Sequence, residues 1–123
     1  MHTGSLKYHI VWCTKYRRKI LTPEVAIRLK ELVETKCSDR GFSLHAIEVM
    51  PDHVHVFVEA PSKVAVKYIA NQIKGVTSHN LRKEFQHLRT RVPTLWTRSY
   101  YAGTVGAATD EVVAKYIENQ KNV

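Results

Sequence analysis

Apolar and polar positions alternate with two different periods along this chain, and the changes of period mark its elements. Leu6 to Thr14 (Leu-Lys-Tyr-His-Ile-Val-Trp-Cys-Thr) is rich in aromatic and β-branched types and partly alternates, which predicts a strand. A basic loop, Lys15 to Lys19, follows it. Thr22 has the character of an N-cap, with Pro23 and Glu24 in the first turn behind it. Val25, Ile27, Leu29, Leu32, Val33 and Cys37 then recur at near-helical spacing as far as Gly41, a residue type that favours a helix C-terminus. Phe42 to Met50 returns to alternation through Phe42, Leu44 and Ala46 and predicts a second strand. Pro51-Asp52 makes a turn, and His53 to Glu59 (His-Val-His-Val-Phe-Val-Glu) is the clearest strand of the sequence, so the two form a hairpin.

The second half repeats the order. Pro61-Ser62 opens a long helical pattern through Val64, Ala65, Tyr68, Ile69, Ile73, Val76 and Leu81, ending near Phe85. Residues 86 to 97 read as a loop with Pro93 and an exposed Leu95-Trp96, and Ser99 to Val105 reads as a fourth strand. Gly103 and Gly106 form a flexible corner, and Thr109 caps a last helix through Val112, Val113, Tyr116 and Ile117 to Gln120. The order β-α-β-β-α-β plus one helix defines an α+β, ferredoxin-like sandwich with two helices on one sheet face. Residues 6–105 form that core, 109–120 the extra helix, and 1–123 one domain without repeats or linkers. The other sheet face is left to bind something.

Composition narrows the class. With 123 residues, 44% of them apolar, and only five Gly and four Pro, the chain is neither disordered nor collagen-like. No stretch approaches the roughly 18 apolar residues of a membrane helix, and the start lacks an apolar signal region, so the expectation is a soluble, cytoplasmic protein. Cys13 and Cys37 lie in apolar stretches and read as reduced core residues. Charge is more informative: 19 Lys and Arg against 11 Asp and Glu leave a formal +8. Residues 60 to 109 carry eight basic groups and only Glu84, while residues 1 to 22 carry five basic groups and no acidic one. Two basic segments flanking a nearly balanced middle favour a polyanionic partner such as nucleic acid.

The third strand holds the candidate chemistry. Alternate side chains of a strand share a face, so His53 and His55 point one way and Val54, Val56 and Val58 the other. Two imidazoles on a rigid element can supply adjacent ligands to a divalent transition ion, although partly exposed histidines with no ligand fit the same pattern. On the last helix, Tyr116 and Gln120 are four residues apart and one turn from each other. They offer a phenol nucleophile and an amide oxygen ligand, or simply an aromatic at the edge of the core. No G-x-x-x-x-G-K-[ST] pattern and no acidic cluster typical of two-metal nucleases occurs.

Pro51-Asp52-His53-Val54-His55 resembles the His-hydrophobic-His motif of the HUH nucleases, and Tyr116-Ile117-Glu118-Asn119-Gln120 resembles the tyrosine helix of the IS200-like transposases, which move insertion sequences as single-stranded DNA. Tyr8 to Arg18 looks like that family's first strand and basic loop, and Ile73-Lys74-Gly75-Val76-Thr77-Ser78 like its second-helix signature. Leu95-Trp96, Ser99-Tyr100-Tyr101 and Thr104-Val105-Gly106 look like its fourth strand and hinge. The likeness spans residues 6 to 120 in the family's order.

The resemblance implies that His53, His55 and Gln120 hold Mg²⁺ or Mn²⁺ and that Tyr116 attacks a DNA phosphate, leaving a 5′-phosphotyrosine link and a free 3′-hydroxyl. It also implies a homodimer in which the tyrosine helix of one subunit completes the other's site, with Gly103, Gly106 and Ala107-Ala108 as the connection. Arg17, Arg18, Lys19, Lys74, Arg82, Lys83, Arg89, Arg91 and Arg98 become candidate contacts to the phosphates of a DNA hairpin, with Tyr16, Trp96 or Tyr100 stacking on unpaired bases. Two alternatives remain open: an HUH nickase of replication or transfer type, and a non-catalytic nucleic-acid-binding module on a ferredoxin-like sheet.

Overall fold

The computed structural model describes residues 4–105 and 110–123. Four strands, β1 (Ser5–Cys13), β2 (Ser43–Val49), β3 (His53–Pro61) and β4 (Tyr101–Thr104), form one sheet in the order β2-β3-β1-β4. All three pairings are antiparallel. Helices α1 (Pro23–Arg40) and α2 (Val66–Glu84) cover one face, a short α3 (Gln86–Thr90) follows α2, and α4 (Asp110–Glu118) lies on the other side. This is the expected ferredoxin-like sandwich with an added C-terminal helix.

Local chemistry accounts for the main boundaries. The Thr22 hydroxyl accepts a hydrogen bond from the Val25 amide at 3.3 Å, and Pro23 occupies the first turn where its missing N–H costs nothing. Gly41 ends α1 in the left-handed region at φ 74°, and the Phe42 amide reaches back to the Cys37 carbonyl at 2.8 Å. In β3, Val54, Val56, Val58 and Ala60 are buried against the helices together with Ile10 and Trp12 of β1 and Val25, Leu29, Ile69 and Ile73. His53, His55 and Phe57 therefore stand on the opposite face.

Several expectations are revised: α3 lies in the segment 86–97 read as a loop, β4 is shorter than Ser99 to Val105, and α4 ends at Glu118, before Gln120. A bulge between Leu44 and Ala46 shifts the phase of β2, so that Leu44, Ile47 and Val49 pack on the core and Ala46 turns to the histidine face. Helix α2 begins at Val66 rather than at Pro61-Ser62, because β3 continues to Pro61 and the chain turns there with Val64 N–H on the Pro61 carbonyl. Leu95 and Trp96 are buried, not exposed: Trp96 packs edge-to-face on Trp12, its indole N–H donates to the Thr77 hydroxyl at 3.1 Å, and its backbone bridges Thr14. Gly103 lies within β4 opposite His9 rather than in a corner. Gly106, Ala107-Ala108 and the Thr109 cap lie outside the described residues.

Candidate active site

The turn after β2 sets the first imidazole. Asp52 is buried, and its carboxylate accepts from His53 Nδ1 at 2.7 Å and from Arg17 at 3.2 Å. Burial alone would raise the Asp52 carboxyl, but the hydrogen bonds and positive charge of His53 and Arg17 hold it below its ordinary value. An ionised Asp52 only accepts, so His53 carries a proton on Nδ1, which leaves Nε2 as the ring atom open to a ligand. Arg17 reaches Asp52 from a short 3-10 turn, Lys15–Arg17, in which Tyr16 and Arg17 both take left-handed backbone at φ 57° and 50°. Such conformations cost non-glycine residues free energy and persist only where contacts impose them. Here the Lys15 amide bonds the Leu95 carbonyl, the Tyr16 amide the Val123 carbonyl, and the Thr14 hydroxyl the Arg18 carbonyl.

The second imidazole is braced from β1. His9 Nε2 lies 3.1 Å from His55 Nδ1, and the His9 ring stacks on Phe57 at 4.3 Å between centroids. Burial lowers the pKa of both His9 and His55, and the neighbouring imidazoles lower that of His55 further, so both rings are neutral near pH 7. The His53 and His55 rings meet edge-to-face with centroids 4.9 Å apart. Among the described residues no group of three or more His, Cys, Asp or Glu side chains has the geometry of a metal site.

The tyrosine helix docks beside this pair. A cleft of about 440 Å³ separates His9, His55 and Phe57 from Asp110, Val113 and Ile117 of α4. Tyr116 packs on Tyr101, whose ring in turn meets His9, so aromatic contacts run from His55 to Tyr116. The Tyr116 hydroxyl lies 3.0 Å from Ser99 Oγ, and Ser99 Oγ donates to Gln120 Oε1 at 3.0 Å. Burial raises the Tyr116 phenol above its ordinary value, partly opposed by the Ser99 and Thr97 hydroxyls, which can turn to donate to the phenolate. Gln120 sits in a turn just past the end of α4, its amide on the Ile117 carbonyl, and is buried. The four residues singled out in the sequence thus gather on one sheet face, His53 and His55 on β3 and the other two at the β1–β4 edge.

Of the basic candidates, Arg18, Lys19 and Arg91 line one concavity, and Lys83 and Arg98 are exposed. Others are engaged internally. Arg17 pairs with Asp52 and Glu118, Arg82 donates to the Val92 carbonyl, and Arg89 donates to the Arg82 and Lys83 carbonyls that end α2. Lys74 directs its ammonium to the carbonyls of Thr97, Arg98 and Ser99. Trp96 belongs to the core rather than to a stacking surface. Sequence reasoning passed over His9, Asp52 and Ser99. Asp52 is the neighbour of His53, a detectable signal; His9 and Ser99 are brought in only by strand pairing and helix docking.

A ferredoxin-like sheet with a braced His-x-His strand and a tyrosine-bearing helix on its open face defines the class. The family model described as "Transposase IS200 like" matches residues 2–120. The ISDra2 transposase TnpA of Deinococcus radiodurans is 34% identical over 118 residues, covering 94% of this chain and 84% of that protein. The transposase for insertion sequence element IS200 of Salmonella typhimurium is 31% identical, covering 94% and 77%. A crystal structure of a Deinococcus radiodurans protein assigned as a transposase superposes with a TM-score of 0.91 at 34% identity over 99% of this chain and 95% of that one. A REP-associated tyrosine transposase bound to a REP hairpin shares the fold, with a TM-score of 0.63 at 13% identity over 96% of this chain and 66% of that one. The chain belongs to the IS200-like transposase family.

Proposed function

We propose that this transposase cleaves and rejoins single-stranded DNA through a covalent 5′-phosphotyrosine at Tyr116, as an HUH enzyme dependent on Mg²⁺ or Mn²⁺. The observation that carries the reading is the bracing of the two histidines: Asp52 and His9 engage the Nδ1 atoms of His53 and His55, and no described hydrogen bond occupies either Nε2. A carboxylate or imidazole behind each ring is the support a metal-ligating histidine needs. Donation from His55 Nδ1 to His9 Nε2 leaves His55 the same ligand-ready lone pair that Asp52 gives His53. Two imidazoles, in the neutral form that ligation requires, and the Gln120 amide oxygen suit Mn²⁺ and accommodate Mg²⁺ when a substrate phosphate supplies further oxygens. The bound ion would polarise the scissile phosphate.

The chain's own residues do the rest. The Tyr116 phenol gives up its proton as its oxygen bonds phosphorus and the bond to the 3′-oxygen breaks, and the 3′-oxygen takes up a proton as it leaves, so that no net proton is gained or lost. Attack by a later 3′-hydroxyl on the same phosphotyrosine restores the tyrosine and joins the strand, so no nucleotide hydrolysis is required. Arg18, Lys19 and Arg91 serve as a phosphate-binding patch. A hairpin end is the expected substrate feature, and a homodimer that exchanges tyrosine helices is the expected assembly.

The test uses a single-stranded DNA library with a constant hairpin and randomised flanks, incubated with Mn²⁺ or Mg²⁺ and run on a denaturing gel. A protein–DNA adduct that disappears with Tyr116→Phe or with chelator is expected. DNA binding without any adduct overturns the reading in favour of a binding module. A joined product on adding a second DNA end separates transposase from nickase. Mixing Tyr116→Phe chains with His53→Ala chains tests the dimer, and activity that stays absent in the mixture excludes shared sites.

A further inference from the structure

Three backbone carbonyls of one segment converge on a single ammonium. Lys74 Nζ lies 2.7 Å from the Thr97 carbonyl, 3.3 Å from that of Arg98 and 2.9 Å from that of Ser99. One turn along α2, the Thr77 hydroxyl takes the Trp96 indole N–H. Residues 96–99 are thereby clamped to α2 at a place where they no longer form a strand: Thr97 N–H still bonds the Cys13 carbonyl, but β4 begins only at Tyr101. The side chain presented from this clamped break is Ser99.

The Ser99 hydroxyl has one proton. Gln120 Oε1 can only accept, so that proton is directed to Gln120, and the bond to Tyr116 has the phenol as donor. One exposed serine therefore holds both functional groups of the tyrosine helix. We propose that Ser99 is a positioning residue for Tyr116 and Gln120, and that Lys74 acts through it by fixing the backbone of residues 97–99. The proposal deepens the reading of Tyr116 and Gln120 given above and rests on it for its consequence in cleavage. Supporting residues of this kind typically change activity about 10–100-fold when removed.

Two measurements test it on the full-length chain. Without DNA or metal, backbone amide exchange across residues 110–123 should speed up in Ser99→Ala and in Lys74→Met, and return to the wild-type pattern in Ser99→Thr. Ser99 is on the surface, so Ser99→Ala leaves folding intact even if Lys74→Met does not. With the hairpin library and Mn²⁺, adduct formation at saturating DNA should slow about 10–100-fold in Ser99→Ala and recover in Ser99→Thr, with DNA affinity unchanged. Unchanged exchange in Ser99→Ala, or failure of threonine to restore it, overturns the positioning role. A wild-type chain that forms no adduct overturns the cleavage reading instead, while the exchange measurement still decides the role of Ser99.

Discussion

His9 on β1 and His55 on β3 face each other across the sheet with Nε2 and Nδ1 3.1 Å apart and their rings stacked at 5.3 Å between centroids. They are not directly opposed in the register, since His9 pairs with Phe57 and Val11 with His55. The contact is diagonal, the reach long side chains have on one sheet face. It fixes the plane of His55 from a neighbouring strand, adding to the edge-to-face contact that His53 makes within β3.

A His9→Phe substitution keeps the ring stacked on Phe57 but removes the nitrogen that faces His55. Loss of a supporting hydrogen bond behind a ligating histidine weakens metal binding by about tenfold or more. Calorimetric titration of Mn²⁺ into wild type and variant should show this drop with little change in thermal midpoint. Equal affinities would mean that His9 packs beside His55 without orienting it.

Asp52 carries a different kind of load. Its carboxylate joins His53, Arg17 and the left-handed 3-10 turn, and it is nearly enclosed. Asp52→Ala leaves the partly buried Arg17 guanidinium without its best acceptor, and hydrogen bonds to charged groups are worth about 1.5–3 kcal/mol. Because Arg17 retains access to water and to Glu118, a loss of about 2 kcal/mol is expected. Urea unfolding measures it, and a loss below about 0.5 kcal/mol would show that Asp52 contributes to orientation alone.

The element order was legible because β3 alternates strictly and α1 carries its own start and stop residues, Thr22-Pro23 and Gly41. The failures have physical causes. A bulge costs no composition signal, so the inward positions of β2 were assigned one residue out of phase beyond Leu44. Leu95 and Trp96 lack any periodic context, yet Trp12 and Thr77, both distant in sequence, give Trp96 a complete buried environment. The basic residues show the same limit: Lys74 and Arg89 contribute to net charge exactly as Arg18 does, and only the fold reveals that their donors are held by carbonyls. His53, His55, Tyr116 and Gln120 were legible as motifs, and Asp52 adjoins His53 in the sequence; the His9 and Ser99 braces were not legible, because each comes from another element.

Both thiols should be silent in the folded protein. Cys13 and Cys37 are buried, and burial pushes each up to about 11, with Asp52 adding to the effect at Cys13. The thiolate is the reactive species, so neither should react with a disulfide reagent near pH 8 until the chain is unfolded. Rapid labelling of either cysteine in native conditions would show that its cover opens readily, by motion of α4 for Cys13 or of α1 for Cys37.

Lys74 makes the pH dependence of stability testable in sign. Burial lowers its ammonium to about 8, whereas a lysine in the unfolded chain keeps its proton to about 10.4. Between these values the unfolded state binds more protons than the folded state, and stability rises with pH. The penalty for burying the charge is fully present below about 8 and vanishes above about 10.4. The stability of wild type relative to Lys74→Met, from urea unfolding at a series of pH values, should therefore increase across this window. Subtracting the variant removes the contributions of titrating groups that do not interact with Lys74, and Cys13, which does, is removed by Cys13→Ser in both chains. A difference that stays flat would place the ammonium of Lys74 in contact with water, and one that falls with pH would mean that the Thr97, Arg98 and Ser99 carbonyls stabilise the charge more than burial disfavours it.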